Sequence, residues 1–156
     1  MSATPTVNGQ IIGQAHYATR AVLERLLART DTSFQQSVAL NAIAGNGAAM
    51  DRGQLIARMT ATLKLDDSTA LATIAELTAS HLIEHLPDED NHLLLTDAGR
   101  ALNRDIRTAV DELTARLYGD LPADDLAAAA RVLTLVTARA NAELASAQPK
   151  SRDERP

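Results

Sequence analysis

Apolar residues recur along this chain at the spacing of one helix face after another. From residue 8 to 29, Ile11, Ala15, Thr19, Val22 and Leu26 form a single stripe, widened by Ile12, Leu23 and Leu27. That spacing predicts a long amphipathic helix. Thr30-Asp-Thr32 breaks it, and Ser33 is placed to cap a second helix over roughly residues 34 to 44. Gly45-Asn-Gly47 reads as a turn, because it has neither the glycine spacing nor the following Lys-Ser/Thr of a phosphate loop. A short strand is expected over residues 48 to 50. Leu55, Met59 and Leu63 then repeat every four residues, giving a third helix. After Leu65, Asp66 and Asp67 supply N-cap side chains, with Ser68 as a third candidate. The fourth helix should bury Ala70, Ile74 and Leu77 and end near Ser80. Residues 81 to 86 and 91 to 95 read as two strands joined by a polar turn at 87 to 90. Helix, turn, helix and hairpin in that order describe a winged helix-turn-helix in a mainly α protein, whose second helix would face a DNA major groove.

Beyond the hairpin, Thr96 is placed to cap a long helix to about residue 118, with Leu102, Ile106, Ala109, Val110, Leu113 and Leu117 on one side. Gly119 should stop it, and Pro122 should sit early in the next helix, where its missing N–H is no loss. There Leu126, Ala130, Leu133, Thr137, Ala140 and Leu144 form a heptad-like seam, reaching about residue 145. Residues 1 to 7 and 146 to 156 are expected to be loose, leaving a single domain over 8 to 145. Within it, residues 33 to 99 form the winged helix. Residues 8 to 29 and 100 to 145 form helices whose seams predict an obligate homodimer.

Composition sharpens this picture. The chain has 156 residues, of which 46% are apolar, mostly Ala and Leu, the strongest helix formers. It has no cysteine, which excludes disulfides, thiolate metal sites and thiol redox sensing. No run has the length of a membrane span, and the first residues lack the basic and apolar regions of a signal peptide, so a cytoplasmic protein is expected. The net charge is −5, unevenly spread. Between Lys64 and Arg100 there is no Lys or Arg, while Asp66, Asp67, Glu76, Glu84, Asp88, Glu89, Asp90 and Asp97 supply eight carboxylates. Such a block opposes phosphate.

Taken in order, these stretches resemble the multiple-antibiotic-resistance-regulator (MarR) family of winged-helix transcription factors. The likeness runs over about residues 10 to 145. Gln54-Leu-Ile-Ala-Arg-Met59 looks like the first helix of the helix-turn-helix, and residues 65 to 77, with Leu82-Ile83, like the recognition helix and first wing strand. Leu95-Thr-Asp-Ala-Gly-Arg100 matches the Leu-Thr-x-x-Gly-Arg entry into the family's long post-wing helix, and Leu121-Pro-Ala-Asp-Asp-Leu126 the start of its last helix. The chain also departs from the pattern. About four extra residues, one more turn of helix, fall between Met59 and Leu63. His81 stands where glycine is common, and Ala72 where a basic residue is common. The wing tip, Pro87-Asp-Glu-Asp-Asn91, has no arginine.

On this resemblance, Ser68, Thr69, Ala72 and Thr73 would occupy the exposed half of the recognition helix and meet base edges, with Arg52, Arg58, Lys64 and Arg100 on phosphates of a double-stranded, palindromic operator. A small organic effector would bind among His16, Tyr17, Arg20, Phe34 and Ile106. His81-Leu-Ile-Glu-His85 matches a zinc-protease pattern, but that chemistry needs both histidines on one helix face, and this run straddles a helix end and a strand. A metal site from His81, His85, His92, Asp88 or Asp90 is weighed against ordinary decoration of an exposed hairpin, and the latter is preferred. No nucleophile sits with a base, so neither enzyme activity nor a cofactor is expected. The alternative to a regulator is a winged-helix interaction module that has lost DNA binding and uses its acidic hairpin on a protein partner.

Overall fold

The computed structural model of the chain describes residues 3 to 147. The outermost residues of both expected loose ends, 1 to 2 and 148 to 156, lie outside the described residues. Two compact units divide the chain between Leu113 and Thr114. In the first, helix α1 (Gly9–Leu27) starts at Asn8, whose side chain accepts from the Ile11 N–H, and closes in a single 3-10 turn at Ala28–Thr30. Helix α2 (Phe34–Gly45) begins with a reciprocal capping box: Gln36 N–H donates to Ser33 Oγ, and Ser33 N–H donates to Gln36 Oε1. Strand β1 (Ala49–Asp51) leads directly into helix α3 (Arg52–Leu63), capped by Asp51. That helix is unbroken from Met59 to Leu63.

Helix α4 (Asp67–Ala79) follows a tight turn in which Lys64 takes a left-handed conformation, φ 56°. It ends in a Schellman arrangement: His81 N–H donates to Thr78 O and Leu82 N–H to Leu77 O, with His81 at φ 58°. The position that favours glycine thus carries a histidine, at a modest conformational cost. Strands β2 (Ile83–Leu86) and β3 (Glu89–Leu95) make an antiparallel hairpin, and β1 pairs on the other side of β3, so the strand order is β1-β3-β2. Register runs Met50 to Leu93 and Ile83 to Leu95, with an irregularity between His85 and Leu86. The expected four-residue turn is corrected here. Only Pro87 and Asp88 separate the strands, because β3 extends its pairing back to Glu89 opposite Leu86.

The core of this unit gathers α2, α3, α4 and the sheet around Leu40, Ile43, Leu55, Met59, Leu77, Ile83 and Leu93, all fully buried. Helix α5 (Asp97–Tyr118) is tied to it at its start. Thr96 Oγ1 accepts from Gly99 N–H and donates to His81 O, and Thr96 N–H donates to Leu82 O. Gly99 is required by this closeness, since a Cβ there would fall on the Leu82 carbonyl oxygen. Leu-Thr-x-x-Gly is therefore a joint between the exit of α4, the hairpin and α5. In the second unit, helix α6 (Ala123–Ser146) has no buried residue among those described. Pro122 is its N-cap residue rather than an early helical one, because its ψ of 132° is extended.

Candidate nucleic-acid interface

The geometry of the site follows from how α4 is held. Ala70, Ile74 and Leu77 bury one face against α2 and α3. The opposite face, Ser68, Ala72, Ala75 and Ala79 with Leu71 and Thr69 on its flanks, is exposed. Of the four side chains expected to meet base edges, Ser68, Thr69 and Ala72 lie on this open surface. Thr73 does not. It is 4% exposed, and its hydroxyl donates to Thr69 O at 3.0 Å. Position 73 falls toward the buried side of a 3.6-residue period, so the expectation of a base contact there is corrected.

The start of α4 is organised by Asp66. Its Oδ1 accepts from Thr69 Oγ1 at 2.6 Å, Thr69 N–H at 2.9 Å and Ser68 Oγ at 3.0 Å. The Thr69 hydroxyl, then the Thr69 backbone N–H and the Ser68 hydroxyl, hold its carboxyl below the usual aspartate range. Asp66 is consequently a carboxylate at neutral pH, and an acceptor only.

The basic residues expected on phosphates lie on α3, at its C-terminus and on the first turn of α5. Arg52 is the first residue of α3, half-buried, and its Nε is buried without a hydrogen-bond partner. Arg58 lies exposed on α3, and Lys64 caps its C-terminus. Arg100, on the first turn of α5, is exposed and pairs with Asp97 at 3.3 Å. Such an exposed i,i+3 pair is weak enough for a phosphate to displace. The wing offers Asp88 and Glu89 at its tip, with Glu89 Oε2 3.7 Å from His92 Nδ1. His81 sits in the turn after α4 and His85 on β2, and no group of three metal-ligating side chains forms among the described residues.

The expected effector residues are only partly brought together. Arg20 lies over the Phe34 ring, 4.5 Å from its centroid, and its Nε pairs with Glu24 at 3.0 Å. His16 meets Tyr17 edge-on at 5.4 Å, and Tyr17 is 72% exposed. Ile106 is buried on α5. A cleft of about 580 Å³ does open beside Phe34, but Glu24, Asp31, Ser33, Gln36 and Glu76 line it, and neither His16 nor Tyr17 does. Gln36 bridges to Glu76 there at 2.9 Å. Sequence reasoning missed this cleft because its walls come from turns and polar faces with no periodic signal.

No family model matches the chain, and no curated protein matches its sequence. Solved structures do. A mutant of E. coli MarR complexed with operator DNA superposes with a TM-score of 0.67 at 21% identity, covering 82% of this chain and 91% of that one. A MarR family transcriptional regulator from Silicibacter pomeroyi gives 0.68 at 18% identity, covering 84% and 87%. Bordetella bronchiseptica BpsR, whose DNA binding is regulated by 6-hydroxynicotinic acid, gives 0.68 at 20% identity, covering 88% and 97%. The chain therefore has the winged helix-turn-helix fold of the MarR regulators, as its sequence led us to expect.

Proposed function

We propose that this chain is a DNA-binding transcriptional regulator that works as a homodimer on a palindromic operator and releases it when a small organic effector binds. The observation that carries the proposal is α4: a helix anchored on one face by Ala70, Ile74 and Leu77 while Ser68, Thr69 and Ala72 stand open beside a three-stranded wing. That is the geometry with which helix-turn-helix proteins enter a major groove. Arg52, Arg58, Lys64 and Arg100 would contact phosphates. The likeness to a MarR structure holding operator DNA supports the same assignment.

Dimerisation is supported by α6, which exposes Val132, Leu133, Leu135, Val136 and Leu144. A helix apolar on several sides belongs in an interior, and a second copy supplies one through residues 8 to 29 and 100 to 145. The effector part rests on the likeness to BpsR, whose DNA binding is regulated by 6-hydroxynicotinic acid, and on the Arg20–Phe34 stack, which brings two of the expected effector residues together. No described helix is long and apolar enough to cross a membrane. The chain acts as a regulator rather than an enzyme in this reading, in the cytoplasm, where operators are.

The test is a duplex-binding titration at several salt concentrations, with fragments of the protein's own genome. We expect a slope of about four to six phosphates per dimer, because few basic residues surround α4. Absence of salt-dependent binding to any fragment would hand the fold to the second reading, an interaction module. Its support is the eight carboxylates between Lys64 and Arg100, which suit a basic protein partner.

A further inference from the structure

The side chains of α4 can give a base edge acceptors and apolar surface, but no proton. Its sequence, DSTALATIAELTA, has no Lys, Arg, His, Asn or Gln. Its only side-chain donors are four hydroxyls, and each proton is already committed. Ser68 and Thr69 donate to Asp66, Thr73 to Thr69 O at 3.0 Å, and Thr78 to Ile74 O at 2.8 Å. A hydroxyl has one proton, so Ser68 and Thr69 present only lone pairs outward. Beside them the open face carries Leu71, 38% exposed, with Ala72, Ala75 and Ala79, and the exposed carboxylate of Glu76, a further acceptor. The backbone N–H groups of the first turn lie along the helix axis, suited to a phosphate rather than to a base edge.

We propose that α4 reads thymine methyl groups and the exocyclic amino group of adenine, that it prefers A·T to G·C pairs at the positions it faces, and that Asp66 is the residue that sets this preference. The inference rests on the DNA-binding reading above and deepens it. In the major groove an A·T pair offers both a methyl and an amino donor, which meet the alanines with Leu71 and the Ser68 and Thr69 lone pairs. Adenine sets its amino donor beside the N7 acceptor, whereas guanine offers N7 and O6, both acceptors. Against this helix they would lose water and gain no donor, which is the expensive outcome for a buried polar group. Asp66 is a specificity-determining residue that acts through Ser68 and Thr69: by taking their protons it turns two adaptable hydroxyls into acceptors.

The experiment begins with selection of bound duplexes from a random pool by the full-length protein. Sites are expected to hold A·T pairs at the positions facing α4. Within a selected duplex, thymine is then replaced by uracil, which lacks only the methyl, and guanine by 7-deazaguanine, which lacks only N7. Uracil should weaken binding by about fourfold per contacted methyl, the worth of one buried carbon, while 7-deazaguanine changes it by less than about twofold. Asp66→Gly keeps a tolerated cap residue and frees both hydroxyl protons, so its selected sites should admit guanine. Ser68→Ala leaves the Asp66–Thr69 cap in place and should lower the preference for an amino-bearing base while keeping the uracil effect. Guanine-rich sites with a large 7-deazaguanine loss and no uracil effect would overturn the inference and leave the DNA-binding reading standing. A pool from which nothing is retained overturns both.

Discussion

Asp66 carries three hydrogen bonds on one carboxylate oxygen, and this has a consequence for acid titration. Its folded pKa lies below the unfolded value, so its contribution to stability is fully present above the ordinary aspartate range. That contribution is lost as pH falls through the lowered folded value. A carboxyl NMR titration should show Asp66 protonating below the ordinary aspartate range; titration within or above that range would sink the capping assignment. Two neighbouring positions on α4 should separate just as cleanly. Ala72→Glu places a charge on an open face and should keep stability within about 0.5 kcal/mol while abolishing duplex binding. Thr73→Glu instead forces a charge into a 4%-exposed site and should cost about 3 kcal/mol or more by urea denaturation. Equal stability of the two variants would contradict the helix's orientation. Gly99→Ala drives a methyl onto the Leu82 carbonyl and should lower stability by about 2 kcal/mol, an overpacking cost, in the same assay.

At the scale of elements, the wing departs most from a DNA-reading norm. Its turn is cut to Pro87 and Asp88, and its tip presents carboxylates with no arginine. Near phosphate these oppose binding, and the effect is screened by salt. Asp88→Ala with Glu89→Ala should therefore tighten binding to any duplex, most clearly at low salt. Weaker binding would mean that Glu89 positions His92 for a contact of its own. The two helices flanking this wing are joined by one residue, Thr96, whose hydroxyl both caps α5 and holds the His81 carbonyl at 2.7 Å. A shift of α5 would be felt at the exit of α4 through that joint, the route by which the proposed effector would act on the proposed reading helix.

For the whole molecule, Leu133→Asp with Leu144→Asp should give folded monomers by sedimentation, because both side chains are exposed within one chain. A double variant that stays dimeric would move the interface elsewhere. Most of the fold was legible from periodicity. Ile74 and Leu77 could be placed in the core by spacing alone, and Ser33, Asp66 and Thr96 announced helix starts through side-chain chemistry that acts within four residues. The site was legible less evenly. Ser68, Thr69 and Ala72 followed from the same wheel that should have removed Thr73, a borderline position that burial against neighbouring helices decided. The Gln36–Glu76 cleft, the short wing turn and the closeness that makes Gly99 obligatory depend on residues far apart in the chain. Local sequence thus determined which segments are helices, where each begins, and that α4 has four hydroxyls and no other side-chain donor. Only the tertiary structure decided which of its faces is open and that all four hydroxyl protons are spent, because the rotation of a packed helix and the partners of its hydroxyls depend on every element packed around it.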